Sequence, residues 1–192
     1  MGRAQADPAT GLRLWVGTVM AALYAGMLGF MVLFVGSGPD LTDGVLFGYP
    51  MNSGKIWLLI LVATVWTLDS AAYVTGRFFP RGRFMNHISP NKTWSGVVGG
   101  TAAAVLVCTL LVWATGQHPV GGIVLGFVIA TSAQAGDLAE SLLKRAAGAK
   151  DSGNLLPGHG GMLDRVDSFL FAAPAMFIGL TWIHLLAVTQ PT

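Results

Sequence analysis

Long apolar runs alternate along this chain with short polar connections, and those runs predict its elements. Five stretches approach the roughly 20 residues that a helix needs to cross a bilayer. They are Leu12 to Val35, Ile56 to Thr75, Trp94 to Ala114, Val120 to Leu138 and Ser168 to Val188. Asp69 interrupts the second, and the fourth runs on into an amphipathic extension. The segment 36–55 is turn-rich and carries Asp40 and Asp43, and "TGQHPV" is a tight connection. Connections 76–93 and 139–167 are longer and polar. The pattern predicts an all-α integral membrane protein of about five transmembrane helices in one membrane domain, residues 1–192. There is no internal repeat and no separate soluble domain. Gly96-x-x-x-Gly100 and Gly122-x-x-x-Gly126 offer close helix packing.

Charge adds an orientation. Arg3 and Arg13 precede the first span. Arg77, Arg81, Arg83 and Lys92 lie between spans two and three, and Lys144, Arg145, Lys150 and Arg165 lie between spans four and five. These regions share one side of the membrane, and only Lys55 lies opposite. An excess of Lys and Arg marks the cytoplasmic side. The N-terminus and both long connections are therefore expected in the cytoplasm, with the C-terminal "TQPT" outside.

Composition agrees. Charged residues make up 10% of the chain and hydrophobic ones 53%, where a soluble domain carries about 25% charged residues. A net charge of +2, with no basic block, excludes a nucleic-acid binder. The single cysteine, Cys108, excludes an internal disulfide and a cysteine-rich metal site, and reads as a small packing residue. The N-terminus lacks a secretory cleavage site and the Ser or Thr of a myristoylation motif.

Six of the nine acids, Asp69, Asp137, Glu140, Asp151, Asp164 and Asp167, fall at or below the cytoplasmic membrane face. Asp69 follows thirteen mostly apolar residues and lies about 10 Å inside its helix end. Inserting an aspartate at such a depth costs about 3 kcal/mol. It therefore faces a polar cavity or a partner, or else forms a packing hydrogen bond with neighbours such as Ser70, Tyr73 and Thr75. Asp137, Glu140, Ser141 and Lys144 share a helix face, as an ion-paired helix end would also arrange them. Asp164 and Asp167 would project from one face of the fifth helix's first turn, where the dipole favours carboxylates.

Before that turn, "GNLLPGHGG" cannot be a stable helix. Gly160 and Gly161 allow close backbone approach to a phosphate, but the Walker A pattern is absent. His159 could serve as a base, a phosphate donor or a loop-packing residue; His118 and His184 read as ordinary residues at the outer end. "SPNKT", with Ser89 and Lys92, is a turn that could hold a phosphate. Carboxylates beside lysines and arginines at a membrane face suit phosphoryl or nucleotidyl transfer. Mg2+ is bound by one or two carboxylates plus substrate phosphates, and cations clamp the remaining oxygens.

Ser141 to Asp167, "SLLKRAAGAKDSGNLLPGHGGMLDRVD", resembles the signature of the CDP-diacylglycerol synthase (phosphatidate cytidylyltransferase) family. It fills every fixed position of S-x-x-K-R-x-x-x-x-K-D-x-G-x-x-L-P-x-H-G-G-x-x-D-R-x-D. "QAGDLAES" is similar to the family's G-D-L-x-E-S, "DSAAYVTGR" to D-[ST]-x-A-Y-x-x-G-[KR], and "ISPNKTWSGVVGG" to I-S-P-x-K-T-x-E-G-x-x-G-G. The resemblance implies transfer of CMP from CTP to phosphatidic acid, giving CDP-diacylglycerol and pyrophosphate for phospholipid biosynthesis. It implies Mg2+ and, in some members, a second cation such as K+. Metal roles would fall to Asp137 and Asp164, with Asp167 and Asp69 as further candidates, and Lys144 and His159 would complete the catalytic set. Ser89, Lys92, Ser141, Arg145, Lys150, Asp151, Gly160, Gly161 and Arg165 would bind CTP or the lipid phosphate. The expected setting is a homodimer in the bacterial inner membrane, its active site facing the cytoplasm.

Two departures stand out. Ser95 occupies the family's usual Glu position, which changes a polar contact. Bacterial members commonly carry additional N-terminal spans, so the chain is expected to be either a minimal form or a piece of a longer protein. Three rivals stay open: a cytidylyltransferase for another lipid phosphate such as an archaeal ether lipid, a transporter, and a non-catalytic membrane scaffold.

Overall fold

Each of the five expected stretches is helical. The computed structural model describes residues 8–37, 45–85, 89, 92–149, 152 and 163–189. Helices α1 (Pro8–Gly26) and α2 (Gly29–Ser37) are followed by a two-stranded hairpin, β1 (Val45–Leu46) and β2 (Tyr49–Pro50). The long helices α3 (Ser53–Phe78), α4 (Trp94–Ala114), α5 (Pro119–Ala146) and α6 (Leu163–Thr189) follow. Among the described residues, the α1–α2 run Thr10–Phe34 and helices α3, α4 and α5 are long and apolar enough to cross a membrane. α6 adds a shorter apolar stretch, Val166–Trp182. This is an integral membrane protein.

The first run is not one continuous helix, as its apolar sequence suggested. Between Gly26 and Gly29 the backbone tightens into i→i+3 bonds, Met27 N to Tyr24 O and Leu28 N to Ala25 O, each at 3.2 Å. Glycine weakens a helix interior, and two of them three residues apart make a weak point. The turn-rich segment also contains the hairpin. Phe47 and Gly48 both take positive φ, 51° and 83°, in the two-residue turn whose twist matches paired strands.

Consecutive long helices pack side by side, α3 on α4, α4 on α5 and α5 on α6, while α2 lies against α3 and α6. Ile60, Leu61, Val65, Ile129, Ala130, Ala173 and Met176 fill the centre, with Phe34 and Phe177 meeting edge to face at 5.4 Å. Small residues set the helix spacing, as the glycine pairs predicted. A methyl on Gly100 would stand 2.8 Å from the Leu68 carbonyl oxygen, and one on Gly122 would stand 2.6 Å from Thr109 Cα. Cys108 is buried at this seam as a packing residue. Large apolar side chains such as Val98, Leu106, Trp113 and Phe127 point outward, the arrangement expected of a surface solvated by lipid.

Helix starts are capped by local chemistry. Asn52 Oδ1 accepts from Gly54 N at 2.8 Å, and Thr93 Oγ1 accepts from Gly96 N at 3.1 Å. His118 Nδ1 accepts from Val120 N at 3.3 Å, so this loop histidine serves as a helix cap.

Candidate active site

The C-terminal end of α3, the start of α4, the C-terminal half of α5 and the start of α6 meet at one end of the bundle. They enclose a cavity of about 470 Å³. From α3 come Asp69, Ala72, Tyr73, Gly76 and Arg77, which recur every three to four residues and so share a face. Thr93, Gly96 and Val97 come from α4, Gln134 and Asp137 from α5, and Ser168 from α6; Phe84 and Lys92 reach in from the loop between α3 and α4.

That loop folds back on itself. Gly82 takes a positive φ of 61°, Trp94 N donates to Gly82 O at 3.2 Å, and Phe84 N donates to Lys92 O at 2.8 Å. The Phe84 and Trp94 rings meet edge to face at 4.6 Å. The fold-back carries Lys92 across to α5, where its Nζ lies 2.5 Å from Asp137 Oδ2. Glycines permit the convergence. A methyl on Gly76 would stand 2.8 Å from Thr93 Oγ1, and one on Gly136 would stand 2.6 Å from the Asp167 carbonyl oxygen. Only glycine at 136 lets the start of α6 lie directly against α5, beside Asp137.

A second ionic group adjoins the first. Lys144 Nζ bridges Glu140 Oε2 at 2.9 Å and Asp164 Oδ1 at 2.7 Å. Ser152 donates to Asp164 Oδ2 from its backbone N–H at 2.9 Å and its hydroxyl at 2.7 Å. Glu140 is only 1% exposed, and its Oε1 has no hydrogen-bond partner among the described residues. Asp167 Oδ1 accepts from Ser168 N at 2.6 Å and lies within electrostatic reach of Asp137, Asp69 and Glu140.

The sequence-predicted residues thus divide. Asp69, Lys92 and Asp137 meet at the cavity, with Ser141 Oγ donating to Asp137 Oδ1 at 3.5 Å. Lys144 and Asp164 meet in the adjoining ionic group, and Asp167 stands between the two sets. The shared face of Asp137, Glu140, Ser141 and Lys144 is present as expected. Ser89 does not line the cavity; its carbonyl accepts from Lys92 N at 3.3 Å and shapes the turn. Arg145 is exposed at the end of α5 and does not line the cavity either. Lys150, Asp151, His159, Gly160, Gly161 and the Arg165 side chain lie outside the described residues. Asp69 lines the cavity and makes no side-chain hydrogen bond among the described residues; Tyr73 Oη and Thr75 Oγ1 pair elsewhere.

Several lining residues were not assigned to the site from the sequence. Tyr73 and Arg77, fixed positions of the Asp69 motif, follow Asp69 by four and eight positions, and Gln134 precedes Asp137 by three, so helical spacing carried the signal. Gln134 Nε2 donates to Thr101 Oγ1 at 2.8 Å, anchoring α5 to α4 within the apolar layer.

The donor chemistry fits a hard divalent cation. Asp69, Asp137 and Asp167 supply only oxygen, the ligand type that Mg2+ takes, and Glu140 keeps one buried oxygen unpartnered. Among the described residues no three acids or imidazoles converge into a preformed metal cage. An ion that draws its other ligands from substrate phosphates does not need one.

The model of the cytidylyltransferase family matches residues 10–183, nearly the whole chain. The chain belongs to this family. Among its similar members, the phosphatidate cytidylyltransferase of Brucella suis biovar 1 is 49% identical over 128 residues, 65% of this chain and 47% of that protein. Its counterpart in Synechocystis is 40% identical over 136 residues, 68% of this chain and 46% of the relative. That of Bacillus subtilis is 40% identical over 127 residues, 65% of this chain and 47% of the relative. The chain therefore spans about half the length of the curated relatives it matches. A solved structure described as an intramembrane enzyme for archaeal membrane lipid biosynthesis aligns at 23% identity and a TM-score of 0.47, over 69% of this chain and 92% of that one.

Proposed function

We propose that this cytidylyltransferase-family chain moves CMP from CTP to phosphatidic acid at the cytoplasmic membrane face. A phosphate oxygen of phosphatidic acid attacks the α-phosphorus of CTP, the bond to the β-phosphate oxygen breaks, and pyrophosphate leaves with that electron pair. No protein nucleophile is consumed. The observation that carries the proposal is the cavity bridged by Lys92 and Asp137, where a cation and acids meet at one end of the helix bundle. The naming of the relatives points to the same chemistry.

Within this scheme Lys92 exchanges its carboxylate partner for a substrate phosphate, and Lys144 is held near the reacting phosphates by Glu140 and Asp164. Both act by positioning and neutralising charge, which is most of what nucleotidyl transfer asks of a protein. Asp137 and Asp167, with Asp69 and then Asp164 as further donors, would hold Mg2+, which when bound draws charge from the phosphoryl oxygens. A second cation such as K+ belongs to the same scheme. Arg145, Lys150 and Arg165 would bind the CTP phosphates, and His159, Gly160 and Gly161 belong to the same proposed set. The proposed setting is a homodimer in a bacterial inner membrane.

The test is incorporation of radiolabel from CTP into lipid by the purified chain, with and without chelation of Mg2+. Phosphatidic acid and a geranylgeranyl ether phosphate are offered in competition. Mg2+-dependent labelling that favours phosphatidic acid is expected. Preference for the ether phosphate would move the activity to that lipid, and no labelling of either would leave a non-catalytic family member.

A further inference from the structure

The cavity has two cationic lining residues among those described, and they are not equivalent. Lys92 is neutralised by Asp137. Arg77 makes no ion pair among the described residues; its Nη1 donates to Tyr73 Oη at 2.9 Å, one turn back along α3. The tyrosine thus holds a guanidinium at the cavity wall without cancelling its charge. Asp69, Tyr73 and Arg77 run in line along α3, which places Arg77 about 12 Å nearer the basic end than Asp69, at 1.5 Å per residue. Asp69 lies inside the helix, whereas Arg77 stands in its last turn, the position where a spanning helix meets lipid headgroups.

The surroundings select among phosphates. Ala72, Val97 and Phe84 line the cavity with Arg77, and of themselves they offer a nucleotide no side-chain hydrogen bonds. Outside, Tyr73 is 65% exposed, and Val74, Phe78, Trp94 and Val98 are exposed on the flanks of α3 and α4. A lipid could lay its acyl chains along that flank while its phosphate enters beside Arg77. The ionic group formed by Lys144, Glu140 and Asp164, whose one lysine is already paired with two carboxylates, lies on α5 and α6 instead.

We infer that Arg77, oriented by Tyr73, binds the phosphomonoester headgroup of the lipid substrate and separates that substrate from its unphosphorylated diacylglycerol. This rests on the function proposed above and assigns the lipid-phosphate contact within it. Guanidinium matches a phosphate with two parallel donors, which a lysine cannot reproduce.

The experiment measures binding without turnover. The detergent-solubilised chain is titrated calorimetrically with dioctanoyl phosphatidic acid, dioctanoylglycerol and CTP. Wild type should prefer the phosphatidic acid over the diacylglycerol by at least about tenfold, the scale of a charge-assisted hydrogen bond. Arg77→Met should erase that preference and leave CTP binding within about twofold, as expected for a separate site. Arg77→Lys should keep part of the preference, and Tyr73→Phe should weaken phosphatidic acid binding about threefold, the scale of one ordinary hydrogen bond. Wild type without the preference, unchanged binding in Arg77→Met, or equal loss of phosphatidic acid and CTP would each overturn the assignment. Should Arg77→Met fail to fold, an unaltered preference in both Arg77→Lys and Tyr73→Phe overturns it as well. A wild type that binds through Arg77 yet transfers no CMP upholds the contact and removes the activity. Transfer that is indifferent to Arg77 does the reverse.

Discussion

Lys92 Nζ stands 2.5 Å from Asp137 Oδ2, joining the loop between α3 and α4 to α5 at the cavity. The pair spans 45 positions of sequence, and neither side chain is fully buried. In the proposed function the lysine would exchange this carboxylate for a substrate phosphate and the aspartate would turn to a cation. One contact would then hold both halves of the proposed site in place.

Lys92→Met and Asp137→Asn should each lower CMP transfer by at least about a hundredfold, the scale of removing one group that stabilises transition-state charge. The double variant should be no slower than the slower single variant, because residues acting as a unit do not lose activity additively. Turnover per mole of folded protein decides the matter. Losses that multiply would show the two residues acting separately.

Lys144 lies between the carboxylates of Glu140 and Asp164, and Glu140 is buried. Replacing the lysine leaves two acids facing each other with little water. Lys144→Met should therefore destabilise the protein by about 3 kcal/mol, the low end for breaking a buried ion pair. Glu140→Gln, Lys144→Met and Asp164→Asn together should recover part of that loss. Thermal melting in detergent reads both results, and a Lys144→Met variant that melts like wild type would make this an ordinary solvated helix end.

The long helices were legible in the sequence because apolar length alone distinguishes a membrane helix. Their rotation was not. Spacing within α5 put Asp137, Glu140, Ser141 and Lys144 on one face, and the structure pairs Asp137 with Ser141 and Glu140 with Lys144. Which acid of another helix would meet them depends on tertiary packing. Asp69 joins Asp137 at the cavity, whereas Asp164 is taken by Lys144 and Ser152. The break at Gly26 to Gly29 was hidden because glycine is common in membrane helices. The hairpin turn was hidden because Phe47, a bulky residue, takes a positive φ that its type rarely adopts. Ser95, which departs from the family's usual Glu, turns its hydroxyl to Thr93 Oγ1 at 3.1 Å, so it reinforces the cap of α4.

Gly136 offers a test of the convergence itself. A methyl there would stand 2.6 Å from the carbonyl oxygen of Asp167, a backbone atom that cannot swing aside. Gly136→Ala should push the start of α6 away from Asp137 and cost about 1–3 kcal/mol of stability, as overpacking does. Gly122→Ala meets Thr109 Cα at the same 2.6 Å on a different seam, away from the cavity, and should cost a similar amount. Compared at matched folded fraction, Gly136→Ala should lose CMP transfer and Gly122→Ala should keep it. Equal activity in both would mean that the approach of α6 to α5 does not set the site.

Asp69 distinguishes a chemical role from a packing role. An aspartate buried in a membrane helix as packing glue would be hydrogen-bonded, and its loss would lower stability. Here it opens onto the cavity without a side-chain hydrogen bond among the described residues, within electrostatic reach of Asp137. Like charges so placed repel one another, a repulsion that Lys92 beside Asp137 offsets in part and a cation between the two acids would relieve further. Asp69→Asn removes that repulsion and keeps the shape. It should leave the melting temperature unchanged or raise it slightly, while CMP transfer falls and the Mg2+ concentration needed for half-maximal rate rises. A lower melting temperature with an unchanged Mg2+ requirement would return Asp69 to a structural role.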